Sequence, residues 1–177
     1  TFSLQSNRHI KINFDGGDLS SDAGLLLIKE FAAKIGFTKL IEKKFKTNDK
    51  SIRFHKDYEN LLQMIYQVIS AYFHDDCADE LTLDPVFNII LDKESLASQP
   101  TLSRFFNRMD EDTLIQFDDI DKNLRDTIYS IKRPEHVLLA LDSTLFGTYG
   151  RQEGEGFNFH YQAHGYHPFL YYDGLTG

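Results

Sequence analysis

The chain has 177 residues, 41% of them apolar and 26% charged, with a formal net charge of −8, enough for one good core or a small domain plus part of another, and disorder is excluded as its main state. No uncharged apolar run approaches the roughly 18 to 20 residues of a membrane helix, and the opening TFSLQSNRHIKINF lacks the basic start and apolar centre of a signal peptide, so a cytoplasmic protein with no membrane partner is expected. Cys77 is the single cysteine, which excludes an internal disulfide framework and any Cys-based zinc module.

Charge is unevenly distributed. Residues 1–56 carry eleven Lys/Arg against six Asp/Glu, residues 57–135 seven against seventeen, and residues 136–177 one against four. A basic first third suits an anionic partner, although a solvated helix face with ordinary lysines explains it equally well.

In chain order, HIKINF alternates Ile10, Ile12 and Phe14 and precedes the turn-forming Asp15–Asp18, which predicts a short strand. Ser20, Ser21 and Asp22 offer N-caps for a helix with Leu25, Ile28, Ala32 and Ile35 on one face, and Gly36 suits its stop. The lysine-rich residues 37–56 are less regular, with Leu40, Ile41 and Phe45 as an apolar edge. From Asp57 a core helix is predicted, its stripe formed by Leu61, Ile65, Val68, Ile69 and Tyr72. Asp84-Pro85 and Ser98-Gln99-Pro100 open two short helices, and Asp112 caps a longer one with Leu114, Phe117, Leu124 and Ile128 as inward contacts, ended by Arg133-Pro134.

At residue 136 the pattern changes. Val137–Leu141 is a continuous apolar run, the mark of a strand covered on both faces. A Gly-rich connection follows, then a strand in which Phe159, Tyr161 and Ala163 alternate with His160, Gln162 and His164. A turn over Gly165–Pro168, a returning strand over Phe169–Tyr172 and an Asp173-Gly174 turn complete the expectation. The pattern wants more chain after Gly177, so the C-terminal domain is expected to be cut off in mid-sheet.

Asp142 is the foremost candidate for chemistry, because it follows VLLAL directly and a carboxylate at a buried strand is usually functional or strongly paired. It can hold a divalent metal, or it can cap a loop through Ser143 and Thr144; periodicity leaves both open. His160 and His164 share a strand face at ~13 Å, too far for one ion, and Cys77, beside His74, Asp75 and Asp76, suits a small buried apolar group. In SQPTLSRFFNR, Gln99, Thr101, Ser103, Arg104, Asn107 and Arg108 would face phosphates and base edges while Leu102, Phe105 and Phe106 turn inward. An ordinary helical hairpin is the alternative. Lys39, Lys43, Lys44, Lys46, Lys50, Arg53 and Lys56 form a competing phosphate footprint, and Arg151 and Gln152 sit at a hairpin tip that could reach DNA.

The block LALDSTLFGTYGRQEGEGFNFHYQAHGYHPFLYYDGLTG resembles the start of the catalytic domain of DDE-type insertion-sequence transposases, in the insertion sequence thirteen-eighty group. The upstream stretches SNRHIKINFDGGDLSSDAGLLLIKEF and LASQPTLSRFFNR resemble that family's N-terminal part. The resemblance implies an α/β chain: a mainly helical DNA-binding region over residues 1–134, then, over 135–177, the first three strands of an RNase H-like catalytic domain, truncated. It implies a DNA transposase, cleaving and joining insertion-sequence ends with two Mg²⁺ ions held by three acids. Asp142 matches the first acid; the second and third are expected beyond this chain, so the 177 residues alone are expected to be inactive. Lys43, Lys44, Lys46, Arg104 and Arg108 are the expected DNA contacts. DNA is the expected partner, a homo-oligomer on DNA is a possible assembly, and a bacterial, nucleoid-associated location follows. The alternative is a non-catalytic DNA-binding protein or a decayed transposase remnant.

Overall fold

The computed structural model describes residues 1–17, 20–74 and 76–174. The expected Asp18 end of the first turn and the Asp75 neighbour of Cys77 lie outside the described residues. The chain divides into two compact units, Thr1–Ser130 and Ile131–Gly177.

The first unit opens with two short antiparallel strands, β1 (Phe2–Ser3) and β2 (Lys11–Ile12), and continues through α1 (Leu25–Lys34), α2 (Phe37–Lys44), α3 (Asp57–Ile69), α4 (Cys77–Leu81), α5 (Pro85–Leu91), α6 (Gln99–Phe106) and α7 (Glu111–Ile131). Gly36, at φ 73°, breaks α1 from α2 in a left-handed conformation that a side chain would resist. Asp84 accepts from the amides of Val86 and Phe87, with Pro85 at the first helical position, so α5 starts as its sequence predicts. For α7 the cap lies two residues before the expected Asp112: the Thr113 amide donates to Asp110 Oδ1 and the Asp110 amide donates back to Thr113 Oγ1.

Two faces differ from the periodicity. α3 buries Asn60, Leu61, Leu62, Gln63, Tyr66 and Gln67, while Val68 and Ile69 are exposed. An apolar stripe count misses this, because the amide of Gln63 finds buried partners: its Nε2 donates to the Ala97 carbonyl at 2.9 Å and its Oε1 accepts from the Ala97 amide at 2.8 Å. On α1, Leu25, Leu26 and Ala32 are buried and Ile28 is not; on α7, Ile120 is buried, Phe117 and Leu124 pack beside it, and Leu114 faces out. The main core joins Ile41, Phe45, Leu61, Leu62, Phe105 and Ile120.

Asp57 ties this unit together. Its carboxylate accepts from the Thr47 amide and hydroxyl and from Arg108 at 2.9 Å, and it also faces Arg53. Burial opposes its charge, but the Thr47 and Arg108 hydrogen bonds outweigh burial and hold its pKa below the ordinary carboxylate value. A depressed folded pKa gives stability that is complete above the unfolded value, about pH 4, and is lost as pH falls through the folded one. Arg108→Ala should therefore cost about 1–3 kcal/mol in urea unfolding at pH 7, and less at pH 3. An equal cost at both pH values would remove the ion pair as the cause.

The second unit is a small antiparallel assembly: β3 (Leu139–Ser143), β4 (Phe146–Gly147), β5 (Gly156–Asn158), β6 (Ala163–Tyr166) and β7 (Phe169–Asp173). β3 pairs with β7 and β4 with β6 in a single register, Leu139 opposite Asp173 through Gly147 opposite Gly165. Only Thr144–Leu145 and His167–Pro168 interrupt it. Pro168 has no N–H to give the ladder, yet its carbonyl accepts from the Thr144 amide, so the register survives. No turn forms over Gly165–Pro168: Gly165 and Tyr166 end β6 and His167–Pro168 join it to β7, while the turn falls at residues 159–162, with Gln162 at φ 52°. β6 lies between β4 and β5, where a Cβ on Gly165 would strike the Phe146 carbonyl and come within 2.7 Å of the Leu145 side chain. The apolar run of β3 is not covered on either face: Leu139 and Leu141 are exposed on one side and Ala140 on the other.

Candidate functional site

Asp142 sits within β3, opposite Leu170. Directly opposed residues share a face, and faces alternate along each strand. Ala140, Asp142, Leu170 and Tyr172 therefore lie on one side of the ladder, and Leu139, Leu141, Tyr171 and Asp173 on the other. This register separates the two carboxylates. Asp173 is a strand end rather than the expected hairpin turn, and it cannot join Asp142 at one ion. Asp142 is exposed, which differs from the buried position its context suggests, and its carboxylate makes no hydrogen bond or ion pair among the described residues.

The histidines do not converge. His160 lies in the 159–162 turn, so it shares no strand face with His164; His164 Nδ1 is 3.7 Å from Glu155, and His167 Nδ1 is 3.3 Å from the Asn158 amide. Glu155 also accepts from the Thr148 hydroxyl. Among the described residues no group of three His, Cys, Asp or Glu side chains could hold a metal. For a divalent ion the described residues thus fit as one ligand, Asp142, and do not make up a two-ion centre. Cys77 opens α4 and is only partly buried.

The polar face of α6 is held by its surroundings at both ends. The Gln63 clamp on Ala97 fixes the residue before the Ser98 cap, Asp79 accepts from the Gln99 amide, and the Ser98 and Thr101 hydroxyls meet at 3.1 Å. At the other end Arg108 donates to the Arg104 carbonyl and to Asp57, and its guanidinium lies over the Phe105 ring. Arg104 remains exposed and forms no ion pair among the described residues; its nearest polar partner is Thr101 Oγ1 at 3.4 Å. Leu102 and Phe105 turn inward as their spacing predicts. Phe106, expected beside them, is 46% exposed.

The basic segment sorts in the same way. Lys44 is paired with Asp119 at 2.5 Å, linking α2 to α7, and Arg53 is paired with Asp49 and Asp57. Among the described residues Lys46 is anchored only by its backbone, which exchanges two hydrogen bonds with the Gln116 amide, and its side chain is exposed. Lys43, in the last turn of α2, is exposed as well. Lys43, Lys46 and Arg104 are therefore the expected contacts whose charge is unspent, whereas Lys44 and Arg108 hold helices together. The anchors Asp57, Gln63 and Asp79 were not legible as such: single polar residues inside helical patterns carry no periodic signal of their distant partners.

A family model described as "Transposase DDE domain group 1" matches residues 2–177. No curated protein and no solved structure matches the chain.

Proposed function

The chain belongs to the DDE-domain transposases of group 1, and from that membership we propose that it is the DNA-binding portion and first catalytic strand of an insertion-sequence transposase of the thirteen-eighty group. The observation that carries this reading is the family match over residues 2–177 together with an unpaired Asp142 on the first strand of the second unit. In this reading that unit begins an RNase H-like sheet. Asp142 supplies one oxygen ligand to Mg²⁺, an ion that when bound supplies charge for phosphoryl transfer. The chain's own residues bind and orient DNA: Lys43 and Lys46 attract phosphates whatever the sequence, and α6 presents Arg104 from a helix fixed at both ends. A homo-oligomer on DNA is part of the same proposal.

The test is a salt titration. Lys43→Gln with Lys46→Gln should weaken binding to cognate and random duplexes alike and flatten the slope of log K against log salt by about 1.8, two phosphate contacts at roughly 0.9 each. Lys44→Gln should change the slope less, since its charge is already paired. Arg104→Gln should lower the preference for the cognate end by about 1–3 kcal/mol. A double variant that binds like the parent at every salt concentration removes this segment from the interface.

A further inference from the structure

Gln63 and Gln67 stand one turn apart on the same face of α3, and both are buried. Gln63 spends its carboxamide on the main chain of Ala97, donating to the carbonyl and accepting from the amide. Gln67 is 3% exposed, yet its side chain makes no hydrogen bond among the described residues, and its Nε2 is buried without a partner. Buried polar groups are normally paired, so this one is short of a partner that the chain does not supply. Gln67 lines an open cleft of about 220 Å³ together with Met64, Val68, Phe73, Leu102 and Phe106. The Tyr72 hydroxyl beside it is spent on Asp22, and no Lys, Arg, Asp or Glu lines the cleft among the described residues. The last torsion of a glutamine is broad, so its amide can turn toward a main chain that enters there.

A carboxamide beside an apolar cleft is matched by a residue with an apolar side chain whose main-chain N–H and C=O are both free, as Ala97 matches Gln63. Charge narrows the choice further. Residues 72–92 carry six acids and no Lys or Arg, which favours a segment with cations at its flanks. The chain itself contains one. Ile52 is fully exposed, and its main-chain N–H and C=O have no hydrogen bond among the described residues. It lies in the irregular stretch between α2 and α3, with Lys50 and Lys56 exposed on either side. Asp49 fixes the start of that stretch by accepting from the Ser51 amide and hydroxyl. Segment and cleft sit at opposite ends of α3, whose 13 residues at 1.5 Å each span about 20 Å, so they do not meet within one chain.

We propose that two copies of this chain associate by seating Ile52 of one in the cleft of the other, where Gln67 clamps the Ile52 main chain as Gln63 clamps Ala97. The contact gives the homo-oligomer of the proposed function a surface, and the choice of a second copy as occupant rests on that reading. It needs no DNA.

Sedimentation velocity of the 177-residue protein without DNA, from about 10 µM to about 1 mM, tests it. Association should rise with concentration. Ile52→Ser removes the anchor at a position with no packing of its own, and should weaken association at least about tenfold. Phe106→Ala and Gln67→Met alter the cleft, and each should weaken it about three- to tenfold. Gln67→Met replaces an unpaired buried amide with an apolar side chain of similar length, so its melting temperature should not fall. A mixture of Ile52→Ser with Phe106→Ala holds one intact segment and one intact cleft, and should recover association that neither variant shows alone. A monomer at every concentration, association unchanged in Ile52→Ser or in Gln67→Met, a lower melting temperature in Gln67→Met, or no recovery in the mixture would overturn the contact. DNA binding by the same samples reports on the proposed function separately: a monomer that still binds DNA refutes this contact and leaves that reading in place.

Discussion

If Asp142 is the proposed metal ligand, Asp142→Asn should abolish DNA cleavage and joining by at least about a thousandfold in an active transposase that contains this chain, and leave the fold intact. The substitution keeps the shape of the side chain and removes its charge, and a neutral amide is a poor ligand for Mg²⁺. Its exposed position and lack of partners mean that the change in unfolding free energy should stay within about 0.5 kcal/mol, the range of ordinary surface substitutions. Affinity for element ends should be unchanged, because the proposed contacts Lys43, Lys46 and Arg104 lie in the helical unit. The 177-residue chain itself should neither nick nor join such DNA with Mg²⁺ or Mn²⁺, since its register puts Asp173 on the face opposite Asp142 and no metal-holding group of three His, Cys, Asp or Glu occurs among the described residues. Metal-dependent nicking by this chain that vanishes in Asp142→Asn would show that one acid suffices. A markedly lower melting temperature in a variant that still transposes would make Asp142 a structural cap.

How much of this was legible in the sequence depended on whether a signal was local. The Asp84-Pro85 start of α5, the Gly36 break and the Asp57 start of α3 follow from a few adjacent residues, and the structure shows each, whereas α3 ends at Ile69, short of the Tyr72 its stripe included. Faces were less legible. Val68 and Ile69 look like core by spacing, but at the end of α3 they border open clefts and stay half exposed whatever their hydropathy. In the second unit Gly165 and Pro168 predict a turn, because both are turn formers by composition. Here the first permits close strand approach and the second sits in a gap of the ladder. Among the expected DNA contacts, charge alone could not separate Lys43 from Lys44 or Arg104 from Arg108. The difference lies in Asp119 and Asp57, which are distant in sequence.

Phe105→Ala should unfold the helical unit far more easily than Phe106→Ala, although the two residues are adjacent and chemically identical. Phe105 is fully buried; its ring meets Phe45 edge to face at 5.9 Å, with Arg108 above it. Removing it leaves a cavity in the core that joins α2, α3, α6 and α7, and a loss of about 3–5 kcal/mol is expected. That is a large share of the roughly 5–15 kcal/mol that a domain has. Phe106 borders an open cleft with Val68 and Phe73, all three substantially exposed, so its loss should cost less than about 1 kcal/mol. Urea unfolding followed by circular dichroism separates the two outcomes. Because Arg104 is carried on the same helix, Phe105→Ala should also reduce discrimination between cognate and random DNA at urea concentrations where most of the protein is still folded, while the salt slope set by Lys43 and Lys46 persists. Equal destabilisation by the two alanines would mean that α6 is rotated from the orientation described, and Arg104 would then have to be reassigned.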